Sequence, residues 1–138
     1  MKKIFILYIL AASFTGACNN RHEYEINSGD KYEKEKASLE EIEKKAPAKF
    51  LHVTGNNKKN ILGQTVIRGR VVNTAKVVVF KDIDVKLSFY SQTGTLLEED
   101  HEVVYESIAP GEGTNFKTKY FAPKGTDSVG FHIAGAKF

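Results

Sequence analysis

Tryptophan is absent from this chain of 138 residues, and cysteine occurs once. A lone cysteine excludes an internal disulfide framework and any zinc site built on cysteines. Without tryptophan or a cysteine pair, an antibody-type core is excluded as well. Neither sign of charge dominates: Lys and Arg number 20, Asp and Glu 17. Setting aside Lys2 and Lys3, 18 cations face 17 anions, a net charge of +1. That is not the basic balance of a nucleic-acid-binding domain, so nucleic acid is not an expected partner. The charge-free stretch Ile4 to Phe14 is eleven residues long. A membrane-spanning helix needs about 20.

That short apolar stretch follows Met1-Lys2-Lys3, a basic start, and precedes Thr15-Gly16-Ala17 and then Cys18. Basic, apolar and small residues in this order are the parts of a secretory signal. Small residues just ahead of a single cysteine resemble a bacterial lipobox. The resemblance implies cleavage before Cys18, a lipidated thiol and an acylated amine. The other reading is an ordinary signal peptide followed by a free thiol, which is a liability in an oxidising compartment. Residues 1–17 are therefore expected to be a lipoprotein signal peptide, with Cys18 as lipid anchor and the membrane as a partner. The expected location is the bacterial cell envelope, on the periplasmic face or the cell surface.

Residues 18–49 differ in composition from residues 50–138. Asn19 to Lys49 holds seven Lys/Arg and eight Asp/Glu with few large apolar side chains. Such a stretch buries too little to offset its ordering entropy, and it reads as a charged tether. A short helix is predicted at 38–46. Ser38 and Glu41 form a capping box, Glu40 and Glu41 precede Lys44 and Lys45 by one turn, and Pro47 stops the run. Leu39 and Ile42 share a face that could dock on the domain, or the segment is a frayed turn.

From residue 50 to 138 the apolar period is two. Ile67, Gly69 and Val71 alternate with Arg68, Arg70 and Val72; Ile83, Val85, Leu87 and Phe89 alternate with polar neighbours. This pattern predicts half-buried antiparallel strands at 50–54, 61–73, 82–91, 95–107, 114–122 and 127–135, with a short one at 76–80. Turn signals separate them at Gly55-Asn56-Asn57, Asn73-Thr74, Thr93-Gly94, Pro110-Gly111 and Pro123-Lys124-Gly125. The expected fold is all-β, an Ig-like antiparallel β-sandwich of six or seven strands. Its core is predicted to hold Ile67, Val71, Val85, Leu87, Phe89, Phe116, Phe131 and Ile133. The fourth strand is the least regular, because Glu98-Glu99-Asp100-His101-Glu102 breaks the apolar pattern. A hairpin pairing Phe89 with Leu97 sets Lys86 opposite Asp100 and turns Glu99 inward, as an edge strand tolerates. Glu98 and Glu99 then face opposite ways, which argues against a calcium site.

At Val71-Val72-Asn73, Lys81-Asp82-Ile83-Asp84-Val85, Leu87-Ser88-Phe89-Tyr90-Ser91, Gly94 and Ile108-Ala109-Pro110-Gly111, the chain resembles the FxLYD family. These are bacterial and archaeal Ig-like domains, often found in secreted or lipid-anchored proteins. The resemblance covers about residues 61 to 122. It implies a sandwich and carries over no catalytic residue.

Catalytic signals are few. His22 lies in the tether, and His52, His101 and His132 fall on three separate predicted strands with no metal-ligand spacing. There is no Gly-x-Ser-x-Gly elbow, and Gly111-x-Gly113 is a turn with no helix behind it. No enzyme activity, cofactor or metal is expected. One surface constellation does stand out. If the second and fifth strands are neighbours, Arg68 and Arg70 lie beside Lys117 and Lys119 on one outer face. Four cations there suit phosphates, an anionic glycan or an acidic envelope protein; alternatively they are charges that keep the face solvated. Tyr90 and Phe121 also point outward and could anchor a partner. The chain thus reads as a lipid-anchored, non-catalytic binding or structural module, or as a small-ligand or glycan-binding accessory lipoprotein that uses one sheet face.

Overall fold

A computed structural model describes residues 28–138. Cys18, His22, the 1–17 segment and the first part of the tether lie outside the described residues. Helix α1 (Ser28–Lys45) and a 3-10 turn (Pro47–Lys49) precede six strands. These are β1 (Leu51–Lys59), β2 (Thr65–Asn73), β3 (Lys81–Ser91), β4 (Leu96–Val104), β5 (Gly113–Tyr120) and β6 (Thr126–Lys137). They form two antiparallel sheets of three strands, ordered β1-β2-β5 and β4-β3-β6. The fold is a β-sandwich.

The alternation along the strands decides which faces meet. Ile67, Val71, Ile83, Val85, Leu87, Phe89, Val129 and Ile133 point between the sheets and are buried. Phe80 and Ile108 join them from irregular segments, linked to each other by an isolated antiparallel bridge. Two of the expected core residues sit differently. Phe116 and Phe131 are only partly buried and pack against the core from its side. Each ring covers a glycine of the β1-β2-β5 sheet. A Cβ at Gly55 would stand 2.6 Å from the Phe131 ring, and one at Gly69 would collide with Phe116. Only glycine admits so close an approach.

Gly55 also explains a corrected boundary. The signal Gly55-Asn56-Asn57 is not a turn, because β1 runs on through it to Lys59, paired residue by residue with β2. The reversal comes at Asn60–Gln64 instead, so 61–64 are not strand. Residues 76–80 do not form a strand either. The Phe80 amide donates to the Ile108 carbonyl, and those of residues 76–78 are taken by a side chain. The Glu43 carboxylate, fully buried, accepts from the amides of Lys76 (2.6 Å), Val77 (3.1 Å) and Val78 (2.9 Å). Helix α1 is accordingly longer than the predicted 38–46. The i,i+4 pairs Lys31–Glu35, Glu40–Lys44 and Glu41–Lys45 support it along its length. Its last turn is fixed by Glu43 and by the Lys44 ammonium, 5.0 Å from the centre of the Phe138 ring.

The fourth strand is shifted by one residue from the expected register. Tyr90 pairs with Leu96, but a bulge skips Leu97, so Phe89 faces Glu98 and Lys86 faces His101. A slip of one residue exchanges the two faces. Glu99 therefore points out, not in. It meets Lys86 at 3.0 Å and Ser88 Oγ at 3.2 Å. Those hydrogen bonds, led by Lys86, hold the Glu99 carboxyl below the usual range. Glu98, Asp100 and Glu102 take the inward parity at the sheet edge.

Candidate functional site

Strand β2 is the centre of its sheet, flanked by β1 and β5. Its inward residues Ile67 and Val71 fix the parity, so Arg68 and Arg70 point outward and are exposed. Arg68 lies directly opposite Lys117 on β5 and Asn56 on β1. Arg70 is opposite Asn115 and Thr54, and Val66 is opposite Lys119 and Lys58. One face thus carries Lys58, Arg68, Arg70, Lys117 and Lys119, all exposed. The remaining outward positions are His52, Thr54 and Asn56 on β1, Val66 and Val72 on β2, and Gly113 and Asn115 on β5. Among the described residues, no carboxylate occupies the face. Among the described residues, none of the five cations is in an ion pair.

Such crowding is unfavourable on its own. Like charges set directly across an antiparallel pair repel, and Arg68 and Lys117 are so placed. The one side-chain partner within the group is Asn115, whose Oδ1 accepts from Arg70 Nη1 at 3.3 Å. An anion lying on the face would relieve the repulsion.

The surface has a shape to receive one. The row Gly55–Gly69–Phe116 sends its side chains, or none, to the inner face. On the outside it leaves a trough between two rows of outward side chains. Those rows are about 7 Å apart, two residues along a strand. The trough holds ≈ 600 Å³ and is walled by Thr54, Asn56, Arg68, Arg70, Asn115 and Lys117. It continues towards the β1–β2 hairpin as a second hollow of ≈ 290 Å³ beside Lys58, Lys59, Val66 and Lys119. Phe116 and Phe131 beneath the glycines stiffen the floor.

Tyr90 is not part of this surface. It lies on the outer face of the other sheet, half-buried, with its ring edge over Gly130. Phe121 does belong to the cationic sheet, at the end of β5, and is exposed. The histidines are dispersed: His101 Nδ1 meets Asp84 Oδ1 at 2.8 Å, while His52 and His132 are exposed on different sheets. Among the described residues, no group of three or more His, Cys, Asp or Glu side chains converges on a metal-sized site. No helix among them is long and apolar enough to cross a membrane.

Carboxylates gather elsewhere. Glu98, Glu99, Asp100 and Glu102 all lie on β4, an edge strand of the second sheet. Tyr120 closes the gap between the sheet edges there. Its hydroxyl donates to Glu102 Oε2 at 2.9 Å, and its ring meets Phe89 edge-on at 6.0 Å between centroids. Burial, helped by the Glu102 carboxylate, raises the Tyr120 phenol well above its ordinary value. Lys119 is legible from parity once β2 and β5 are taken as neighbours, whereas Lys58 is not, because the turn signal at Gly55-Asn56-Asn57 ends the first strand at residue 54.

Comparison with family models, with curated proteins and with solved structures finds no match to this chain.

Proposed function

We propose that the protein is a lipid-anchored, non-catalytic module of the bacterial envelope that binds an anionic glycan on the outer face of β1-β2-β5. The observation that carries this reading is the face itself: five cations with neither an ion pair nor a carboxylate beside them among the described residues, and a trough running between them. Amide and hydroxyl groups alternate with the cations at Thr54, Asn56 and Asn115. They can donate to and accept from sugar hydroxyls, while Arg68, Arg70 and Lys117 meet the acid groups. Open, and continued by the second hollow, the trough suits an extended chain better than a small enclosed ligand.

The strand order supports an Ig-like assignment. Orders β1-β2-β5 and β4-β3-β6 correspond to A-B-E and C′-C-F of that architecture. The FxLYD resemblance points the same way, and its Val71-Val72-Asn73 and Ile108-Ala109-Pro110-Gly111 strings meet in space through the Asn73 side chain. Cys18 is the proposed anchor, with the chain from residue 18 as the mature protein. Two acyl chains hold such a protein stably, each buried CH₂ contributing about 0.8 kcal/mol.

Two measurements test the reading. Titration with oligogalacturonate, an acidic oligosaccharide, should shift the backbone amide resonances of Gly55, Gly69 and Lys117 and leave those of β4 in place. Shifts spread evenly over both sheets would contradict a site on this face. Replacing Cys18 with Ser should move the protein from the detergent phase to the aqueous phase. Retention in detergent would remove the anchor from the account.

A further inference from the structure

The β1–β2 hairpin ends in two adjacent large aliphatic residues that are exposed. Ile61 is 102 % and Leu62 72 % exposed; Phe121, on the neighbouring strand's end, is 79 % exposed. Thr65 pairs with Tyr120, which sets Phe121 beside the hairpin. Three such side chains at one end of a small domain are an unusual concentration, because exposed apolar residues are ordinarily scattered.

The turn that presents them is held tightly. Asn60 Oδ1 accepts from the amides of Leu62 and Gln64, each at 2.9 Å, and Asn60 Nδ2 donates to Gln64 Oε1 at 3.0 Å. The Asn60 amide donates to the Gln64 carbonyl at 2.9 Å, and the Gly63 amide to the Asn60 carbonyl at 3.1 Å. The amides of Asn60, Leu62, Gly63 and Gln64 therefore have partners inside the turn. These bonds brace the turn, and the Ile61 amide, with no partner among the described residues, stays at the hydrated headgroup level, so that only side chains enter the apolar boundary.

Immediately behind the tip stand Lys58, Lys59 and Lys119, all exposed around one hollow. Among the described residues, no carboxylate lines that hollow. An apolar tip with a cationic collar is the arrangement that lies in the interface of an anionic bilayer. The apolar residues enter the headgroup–acyl boundary and the lysines meet the lipid phosphates. The tip is also accessible. It lies at the far end of β1 from Leu51, where the 3-10 turn and α1 attach, so α1 does not cover its root.

We infer that the Ile61–Leu62 hairpin is a membrane-docking site for a bilayer carrying anionic lipid. This goes beyond the glycan reading, since it adds the apolar hairpin tip, sharing Lys58 and Lys119 with the cationic face but not the Arg68–Arg70 trough. The occupant is a lipid surface because the three apolar residues need an apolar phase and the three lysines need anions beside it.

The test is vesicle co-sedimentation of the chain from residue 18 onward, carrying Cys18→Ser so that no acyl chain contributes. Vesicles are phosphatidylcholine alone or phosphatidylcholine with phosphatidylglycerol. The expected result is binding to the anionic vesicles, little to the neutral ones, and no competition by soluble glycerol phosphate. Ile61→Ser with Leu62→Ser should weaken binding by about 30-fold or more, with an unchanged melting temperature, because neither side chain is packed. Lys58→Gln with Lys59→Gln and Lys119→Gln should weaken it about tenfold or more. Arg70→Gln should lower oligogalacturonate binding and leave vesicle binding within about twofold, which separates the two sites. Absence of binding to anionic vesicles would overturn the inference. So would binding that survives the Ile61 and Leu62 changes, or that glycerol phosphate competes away; either means a simple anion site without insertion.

Discussion

Asn73 is fully buried and leaves none of its side-chain hydrogen-bonding atoms without a partner. Nδ2 donates to the carbonyls of Val78 and Ile108, and Oδ1 accepts from the Ala75 amide, each at 2.9 Å. One amide thus ties the segment after β2 to the segment before β5. Asn73→Ala should cost about 2–4 kcal/mol, because it orphans buried backbone groups as well as removing bonds. Urea unfolding of the variant checks this, and a loss under about 0.5 kcal/mol would mean that water replaces the amide. In the sequence Asn73 looks like a turn residue, since Asn before Thr is a common turn signal. Its Oδ1 does make the local turn contact, to Ala75 two residues on, but its Nδ2 partners lie 5 and 35 residues away, which no local pattern encodes. Phe89 and Leu87 are the opposite case. Their burial was legible because strand parity alone determines it.

Helix α1 and β4 show where element-scale reading stops. The capping box and charge pairs placed a helix, but Glu43 reads as one more solvated acid among eight in the tether. Only the fold reveals that its carboxylate closes three backbone amides between residues 76 and 78. Glu43→Ala should therefore destabilise the sandwich by about 2–4 kcal/mol and open 76–80 to limited proteolysis. A variant as protease-resistant as the parent would contradict the docking. For β4, the parity of Glu98 to Glu102 depended on a register that the Leu97 bulge shifts by one, and bulges leave no clear mark in an apolar–polar pattern.

The edge between β4 and β5 also carries a pH dependence. The Tyr120 phenol has a raised folded pKa, so the folded chain keeps a proton that the unfolded chain loses above about pH 10. The stability it contributes is whole below that pH and is lost as pH rises further. Tyr120→Phe should flatten the fall in melting temperature between about pH 10 and 11.5. An identical alkaline profile in the variant would show that Tyr120 titrates freely.

At the scale of the whole molecule, a net charge of only +3 conceals a separation. Cations hold the outer face of β1-β2-β5, and carboxylates hold β4 on the other sheet. Composition argues against a polycation, yet composition averages over faces. What recovered the cationic face was parity combined with one assumption about topology, that β2 and β5 are neighbours. The trough was not legible, because it depends on the full length of β1 and on Gly55 lying in a strand. Phe131, 76 residues further on, supplies the contact that keeps that glycine there.

The central claim is that this face binds an anionic glycan through charge. The direct measurement is calorimetric titration of oligogalacturonate into the parent chain and into a variant with Arg68, Arg70, Lys117 and Lys119 all changed to Gln, at several salt concentrations. Exposed charges are screened beyond about 8 Å at physiological ionic strength. Parent binding should therefore weaken by about tenfold or more from low to high salt, and the variant should not bind. Its melting temperature should stay within about 2 °C of the parent, since the four side chains are exposed and repel one another. Binding by the variant at parental strength, or parental binding indifferent to salt, would contradict the account.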